Sequence, residues 1–246
     1  MTTAMQKVRL GALSAVITPP TSPASERPLW VVLLHGFGAP ATDLVGLASA
    51  LGPLPDVRFV FPGALHALTG PFAPPGARAW WPIDFEELDH ARRRRDLDAL
   101  SSAEPAGLSE ARVALTEALS ALEREHGMDP ARLVLGGFSQ GAMLSCDWAL
   151  RGALPLAGLV VLSGMPIALA EWKRGMATRR GLPVFQSHSP DDVVLPFELA
   201  ERLADALTAA GLESEFVRFR GGHGIPHPVI EGLRAFLGQL ARETSG

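Results

Sequence analysis

The chain has 246 residues, of which 47% are hydrophobic and 20% are charged, and a chain of this size can bury a large core in a single domain. Its 22 basic and 26 acidic residues give a net charge of -4, which offers no broad attraction to nucleic acid or to an anionic membrane. Cys146 is the only cysteine, which excludes an intrachain disulfide and a thiolate metal site. We therefore expect one domain over residues 1–246 and no nucleic-acid partner.

The N-terminal segment does not have the pattern of a secretory signal. Lys7 and Arg9 interrupt its first apolar stretch, and the run 10–17 is broken by Gly11 and Ser14. No run approaches the roughly 18 apolar residues that indicate a membrane span. We expect a cytoplasmic protein without stable membrane insertion, and the sequence does not indicate its oligomeric state.

Strand-like and helix-like segments alternate along the rest of the chain. After a proline- and serine-rich loop at residues 18–28, the apolar run 29–34 has the composition of a strand buried on both faces. Similar strand-like runs follow at residues 132–136, 156–162, 182–186 and 215–219. Helical patterns lie at residues 108–122, 140–150, 196–210 and 229–240. This alternation predicts an α/β fold, a mostly parallel sheet with helices on both faces, which binds ligands at the carboxyl ends of its strands.

A pentapeptide of the type Gly-x-Ser-x-Gly lies between a predicted strand and a helix-compatible segment. It is Gly137-Phe-Ser-Gln-Gly141, and its strand-turn-helix context is that of a nucleophile elbow, although the bare pattern also occurs by chance. Glycines are needed two residues before and after the serine because a side chain there collides with the neighbouring strand or helix. Ser139 is therefore the predicted nucleophile of an α/β-hydrolase fold.

A serine hydroxyl needs a histidine to take its proton and a carboxylate to orient that histidine. Of the histidines that follow Ser139, His223 lies in a glycine-rich loop before the last helix, where the base belongs, whereas His227 lies between two prolines and is read as a surface or loop-shaping residue. Asp191 and Asp192 both follow the strand-like run 182–186. The apolar residues after Asp192 can anchor it in the core, so we favour Asp192 and keep Asp191 as the alternative acid.

The oxyanion of an acyl-transfer reaction needs two backbone donors. Gln140, the residue after the nucleophile, supplies the first. The second is predicted to be Phe37, because His35-Gly-Phe-Gly38 follows an early strand and its glycines allow close approach to a substrate oxygen. We interpret His35 as a structural residue of this loop.

Five motifs resemble those of the phospholipase and carboxylesterase family, which includes carboxylesterases, lysophospholipases and acyl-protein thioesterases. They are Leu34-His-Gly-Phe-Gly38, Gly136-Gly-Phe-Ser-Gln-Gly-Ala142, Leu162-Ser-Gly164, His188-x-x-x-Asp192 and Gly222-His223. The resemblance extends from about residue 29 to the end. It implies the α/β-hydrolase fold, with Ser139, Asp192 and His223 as catalytic residues and Phe37 and Gln140 as oxyanion donors.

The chain departs from the family pattern beside the predicted site. Ser189 stands where the family usually has glycine, and Val193 stands where proline often follows the acid. The segment 78–84 is bulkier than its family counterpart, and Trp80 and Trp81 within it are predicted to line an apolar substrate site with Phe37 and Phe138. The alternative is that the two tryptophans belong partly to the core.

Residues 84–107 are predicted to form a charged, mobile excursion beside the site. Acidic residues bracket its four arginines, Arg92 to Arg95, so we interpret it as a solvated helical face instead of a phosphate or lipid patch.

The predicted function is a serine esterase that acts through an acyl-enzyme on short to medium acyl or aryl esters. A lysophospholipase or an acyl-thioesterase with the same triad is the alternative, and a non-catalytic ligand-binding protein is the alternative from another class. No cofactor and no metal are predicted, because His66, His90, His188 and His227 lack the short spacings of zinc ligands and are read as solvent-facing or structural.

Overall fold

The computed structural model describes residues 5–19, 27–70 and 73–243. Its strands are β1 (Gln6–Leu10), β2 (Leu13–Ile17), β3 (Leu29–Leu34), β4 (Val57–Pro62), β5 (His66–Ala67), β6 (Arg78–Ala79), β7 (Leu133–Phe138), β8 (Gly158–Leu162), β9 (Pro183–His188) and β10 (Glu213–Arg218). Its helices are α1 (Val45–Ala50), α2 (Phe85–Arg93), α3 (Leu97–Ser102), α4 (Leu108–His126), α5 (Gln140–Arg151), α6 (Leu169–Met176), α7 (Phe197–Ala209) and α8 (His227–Glu243).

Eight of these strands form one sheet in the order β1-β2-β4-β3-β7-β8-β9-β10, and β5 pairs with β6 separately. The β1–β2 and β2–β4 pairings are antiparallel, and every pairing from β4 across to β10 is parallel. The mostly parallel sheet predicted from the sequence is confirmed. Because the central strands run the same way, the loops that follow β3, β7, β8 and β9 meet at one edge of the sheet.

Strand β3 shows how the sheet is covered on both faces. Successive side chains of a strand point to opposite faces, and alternate β3 residues enter two different apolar clusters. One cluster includes Trp30, Val32 and Leu34 together with residues of α4, α5, α6 and α7. The other includes Leu29, Val31 and Leu33 together with residues of α1 and α8. An apolar run with no polar alternation is therefore what a strand between two helical layers requires.

The helix ends follow from local chemistry. Helix α4 begins at Leu108 and ends at His126, after which Gly127 adopts a φ of 70° and donates its N–H to the Glu123 carbonyl at 3.1 Å. This left-handed residue closes the helix, as glycine does at many C-termini. The helix contains the whole predicted pattern at residues 108–122 and continues for one further turn to His126.

The remaining predicted segments agree with the structure to within a few residues at their ends, and several elements were not predicted, among them β1, β2, β4, α1 and α6. Strand β4 lies at residues 57–62, and helix α1 precedes it. The predicted loop 18–28 falls mostly on residues 20–26, which lie outside the described residues.

Candidate active site

Ser139 lies in a strained turn between β7 and α5. Its backbone has a φ of 53° and a ψ of -118°, a conformation that is costly for a residue with a side chain and is concentrated at functional sites. The Ser139 N–H donates to the Leu162 carbonyl at 2.9 Å, and its own carbonyl accepts from the Met143 N–H at 3.1 Å. These bonds to β8 and to the first turn of α5 hold the strained serine in place.

The two glycines of the elbow are required by close backbone packing. A Cβ atom at Gly137 would lie 2.5 Å from the Leu34 carbonyl oxygen, and one at Gly141 would overlap the same oxygen. Both positions therefore exclude any side chain while β3 stays where it is.

We expect Gly141→Ala to lower the free energy of unfolding by about 3 kcal/mol or more, since the added methyl collides with backbone that cannot rotate away. Urea unfolding followed by circular dichroism measures this loss. Gly46→Ala in α1 is the matched control, because no atom lies within 4 Å of a Cβ there, and it should change stability by less than about 1 kcal/mol. Equal effects of the two substitutions would show that the elbow does not pack as described.

The buried carboxylate of Asp192 accepts four hydrogen bonds. Its Oδ2 accepts from His223 Nδ1 at 2.7 Å and lies 3.2 Å from His188 Nε2. Its Oδ1 accepts from the backbone N–H groups of Val194 at 2.7 Å and Leu195 at 2.9 Å. Burial alone would raise the pKa of Asp192, but the hydrogen bonds from His188, His223 and Leu195 outweigh it and hold the pKa below its ordinary value.

The depressed pKa of Asp192 predicts a pH-dependent contribution to stability. Because the folded-state pKa lies below the unfolded one, the ionised carboxylate stabilises the fold above the unfolded value, and this contribution is lost as the pH falls toward the folded value. We expect wild type to exceed Asp192→Asn by about 2 kcal/mol in unfolding free energy at pH 7, and the difference to shrink toward pH 3. Urea titrations at several pH values measure it, and a difference independent of pH would contradict the prediction.

The structure brings Asp192, and not Asp191, against His223. The Asp191 side chain is 46% exposed and lies 3.3 Å from Arg220. His227, the alternative base, begins α8 with a side chain 79% exposed and lies 3.5 Å from Glu231. Among the described contacts, Asp191 does not reach a histidine, and His227 does not reach the Asp192 carboxylate.

His223 lies beside the nucleophile turn. Its ring centroid is 4.8 Å from that of Phe138, the residue before Ser139. The hydrogen bonds described for the His223 ring include Asp192 and do not include Ser139. The His223 ring therefore lies against Phe138, the residue that precedes Ser139, and a bond from the histidine to the serine often forms only when substrate is bound.

The loop after β3 packs against the same turn. A Cβ at Gly36 would lie 3.4 Å from Ser139 Cβ and 3.2 Å from Phe138 Cδ1. Within the described part of the chain the Phe37 N–H has no hydrogen-bond acceptor, and Gln140 is the first residue of α5, so its N–H has no partner inside the helix. Gln140 adjoins Ser139 in the chain, Phe37 follows the glycine that packs against it, and their role as oxyanion donors stays a prediction.

His35 is a buried structural residue, as predicted. Its Nε2 accepts the Ala64 N–H at 3.0 Å, so the proton is on Nδ1, which donates to the Gly36 carbonyl at 2.8 Å. Burial lowers the pKa of His35 and keeps the ring neutral. The ring therefore shapes the loop and is not free to act as a base.

The prediction that Trp80 and Trp81 line an open substrate site needs correction. They are only 0% and 3% exposed and belong to the core. The Gln140 side chain holds their backbone, accepting the Trp80 N–H at 2.9 Å and donating to the Trp81 carbonyl at 2.9 Å. The Trp80 indole N–H donates to the His35 carbonyl at 2.9 Å. The core alternative describes them, because both tryptophans are buried and the Trp80 N–H, the Trp80 indole and the Trp81 carbonyl find partners inside the protein.

An apolar rim near the site was not predicted. Phe85, at the start of α2, is 56% exposed, and its ring meets that of Phe37 edge to face at 5.2 Å. Val193 and Val194, directly after Asp192, are 75% and 40% exposed. The signals available in the sequence were a phenylalanine within a charged stretch and two valines directly after Asp192.

The charged excursion folds as α2 and α3 and docks on neighbouring elements. Arg92 donates a hydrogen bond to the Val193 carbonyl, beside the acid. Arg95 pairs with Glu198 at 2.9 Å, and Asp98 pairs with Arg202 at 2.5 Å, both on α7. The predicted helical face is present, and these contacts attach it to the loop that carries Asp192.

His188 was predicted to be structural or solvent-facing, and it is buried against Asp192. His90 and His227 are exposed.

Among the residues that the structure describes, no group of three or more His, Cys, Asp or Glu could hold a metal ion. In the same ranges, no helix has both the length and the apolar character needed to cross a membrane.

The sheet order, the strained serine after β7 and the acid and histidine that follow β9 and β10 define the α/β-hydrolase fold. The family model described as phospholipase/carboxylesterase matches residues 14–241. The chain belongs to the phospholipase/carboxylesterase family, and it is a hydrolase of the serine-esterase class.

Individual relatives agree with this assignment. Acyl-protein thioesterase 1 of Emericella nidulans is 29% identical over 232 residues, covering 88% of this chain and 92% of that protein. Acyl-protein thioesterase 1 of Mycosarcoma maydis is 31% identical over 224 residues, covering 83% and 88%. The crystal structure of esterase PE8 has 30% identity and a TM-score of 0.77, covering 93% of this chain and 99% of that one. A carboxylesterase from Mesorhizobium loti shares the fold, with a TM-score of 0.71 at 18% identity, covering 95% and 98%.

Proposed function

We propose that the protein hydrolyses carboxylic esters through a triad of Ser139, His223 and Asp192. The observation that carries the proposal is the 2.7 Å contact between His223 Nδ1 and the buried Asp192 carboxylate, next to a strained Ser139. A carboxylate in this position holds the imidazole with its proton on Nδ1 and leaves Nε2 free to accept the serine proton.

In the proposed reaction, His223 Nε2 takes the Ser139 hydroxyl proton as Ser139 Oγ attacks the ester carbonyl carbon. The N–H groups of Phe37 and Gln140 donate to the oxyanion of the tetrahedral intermediate. When the intermediate collapses, His223 returns the proton to the leaving alcohol and an acyl-Ser139 ester remains. Water, deprotonated by His223, then attacks this ester, and His223 returns the proton to Ser139 Oγ as the bond to the acyl group breaks and the carboxylic acid is released.

The apolar rim supports a substrate with an apolar acyl or aryl group. Phe85, which meets Phe37, and Val193 and Val194, which follow Asp192, expose apolar surface, and the half-buried Phe138 precedes Ser139. Apolar contact of this kind adds roughly 0.8 kcal/mol per buried methylene group, so a longer acyl chain gains binding energy. Short to medium acyl chains and aryl esters are therefore the proposed substrates.

A second candidate is an acyl-thioesterase, which the names of the fungal relatives favour. The same acyl-enzyme forms from an oxygen ester or a thioester, and only the leaving group differs. A lysophospholipase with this triad would also form it.

We expect kcat/KM for p-nitrophenyl esters to rise severalfold from acetyl to hexanoyl, because added methylene groups bury apolar surface at the rim. Spectrophotometric assays of the ester series measure this, and thioesters with the same acyl groups compare the two leaving groups. A kcat/KM that falls steadily from acetyl onward would contradict the apolar-site proposal. An inactive wild-type protein that still binds esters would favour the non-catalytic alternative.

A further inference from the structure

The loop that carries His223 has little packing of its own. Gly221 and Gly222 adopt φ values of 134° and 72°, and no atom lies within 4 Å of a Cβ position at Gly221 or Gly224. Glycine-rich backbone of this kind is flexible unless hydrogen bonds restrain it. The position of the His223 ring therefore depends on how the peptides on each side of it are held.

On one side, the buried Ser189 hydroxyl joins the acid loop to the histidine loop. Ser189 Oγ accepts the Asp191 N–H at 3.1 Å and the Gly222 N–H at 3.2 Å, and the Ser189 carbonyl accepts the Asp192 N–H at 3.1 Å. The two loops are thus linked through this hydroxyl and through the pair of Asp192 and His223, in addition to the exposed pair of Asp191 and Arg220. A glycine at position 189 has no hydroxyl and cannot form the first link.

On the other side, the Ser163 hydroxyl bonds to Gly224, the residue after His223. This residue comes directly after β8 and is fully buried, with a φ of 48°. Its Oγ donates to the Gly224 carbonyl at 3.3 Å, while its N–H donates to the Ser187 carbonyl at 2.9 Å on β9. The hydroxyl therefore ties the histidine loop to the central sheet.

We propose that Ser163 and Ser189 are positioning residues that clamp the backbone at Gly224 and Gly222, the residues on either side of His223. The proposal rests on the proposed function of His223 as the catalytic base. Among the described contacts, neither hydroxyl bonds to the Ser139 side chain or to the His223 ring. Together they set the distance from the His223 ring to Asp192 and to Ser139, so their loss affects the chemical step and leaves substrate binding in place.

The test compares Ser163→Ala, Ser189→Ala and the double variant with wild type, using kcat and KM for a p-nitrophenyl ester. Each single variant should lower kcat about five- to tenfold, the loss expected for one hydrogen bond, with KM within about twofold of wild type. The double variant should lower kcat about fiftyfold. Ser101→Ala is the matched control, because Ser101 is also a buried serine but bonds only to carbonyls of its own helix; it should leave kcat unchanged.

Nitrogen NMR of histidine-labelled protein adds a readout that loss of stability alone does not move. In wild type the Asp192 carboxylate holds His223 with its proton on Nδ1, and in the double variant the two tautomers of His223 should mix. If Ser163→Ala does not fold at its positive φ, Ser163→Gly removes the hydroxyl without placing a side chain in the left-handed region.

Unchanged kcat and an unchanged His223 tautomer in the double variant, with only a lower Tm, would overturn the proposal. So would a rise in KM at constant kcat, which would assign the two serines to substrate binding. If wild type hydrolyses no ester, the proposed function fails, and the tautomer comparison still decides whether the two hydroxyls position His223.

Discussion

Ser139→Ala should lower kcat for ester hydrolysis by about 10⁴-fold or more, because the acyl-enzyme cannot form without the hydroxyl. Single-turnover and steady-state assays with a p-nitrophenyl ester measure the loss. A fluorophosphonate probe should label wild type once per chain at Ser139 and should not label the variant.

The matched control for this experiment is Ser109→Ala, which removes an exposed hydroxyl at the start of α4. It should retain wild-type kcat and probe labelling. If Ser139→Ala retains either activity or labelling, another residue is the nucleophile and the elbow has a purely structural role.

Asp192→Asn should lower kcat by about 10⁴-fold with little change in KM. An asparagine amide presents an N–H to His223 Nδ1 and so favours the tautomer with its proton on Nε2, which cannot accept the proton of Ser139. The charge that stabilises the imidazolium is lost at the same time. The pH dependence of kcat and the His223 tautomer measured by NMR check both parts of this explanation.

Asp191→Asn is the matched control, since it changes the adjacent aspartate in the same way. Its carboxylate is exposed and paired with Arg220, so kcat should stay within about threefold of wild type. A larger effect at position 191 than at position 192 would exchange the assignments of the two residues.

The sequence indicated the sheet and the nucleophile turn because both depend on local patterns. The run 29–34 is apolar at every position, and only a strand covered on both faces buries such a run completely. The glycines of the elbow mark a place where backbones approach within contact distance. Asp192 could be favoured over Asp191 because an apolar segment follows it, although only Leu195 of that segment is buried in the core, and Val193 and Val194 are exposed.

Features that depend on distant contacts could not be read from local patterns. Trp80 and Trp81 are aromatic residues whose side chains each carry one polar group, and such residues occur both in cores and at binding sites. Their backbone is held inside the protein by the side chain of Gln140, about 60 residues later in the chain. The contact of His188 with Asp192 joins residues only four positions apart, but it forms only because the loop that follows β9 turns back on the end of the strand. Docking of α2 and α3 on the acid loop joins residues about 100 positions apart.

The two ends of Gln140 link the reaction centre to the interior of the protein. Its backbone N–H lies at the start of α5 beside Ser139, and its side-chain amide is bonded to both tryptophans of the segment after β6. A shift of that segment would therefore tilt the turn that aims the nucleophile. Laboratory evolution toward a different acyl group should find tolerated changes at Phe85, Val193 and Val194, whose side chains face outward, and few at Trp80 or Trp81. Substrate preference can therefore change at the exposed apolar rim, while the buried segment that contacts Gln140 stays the same.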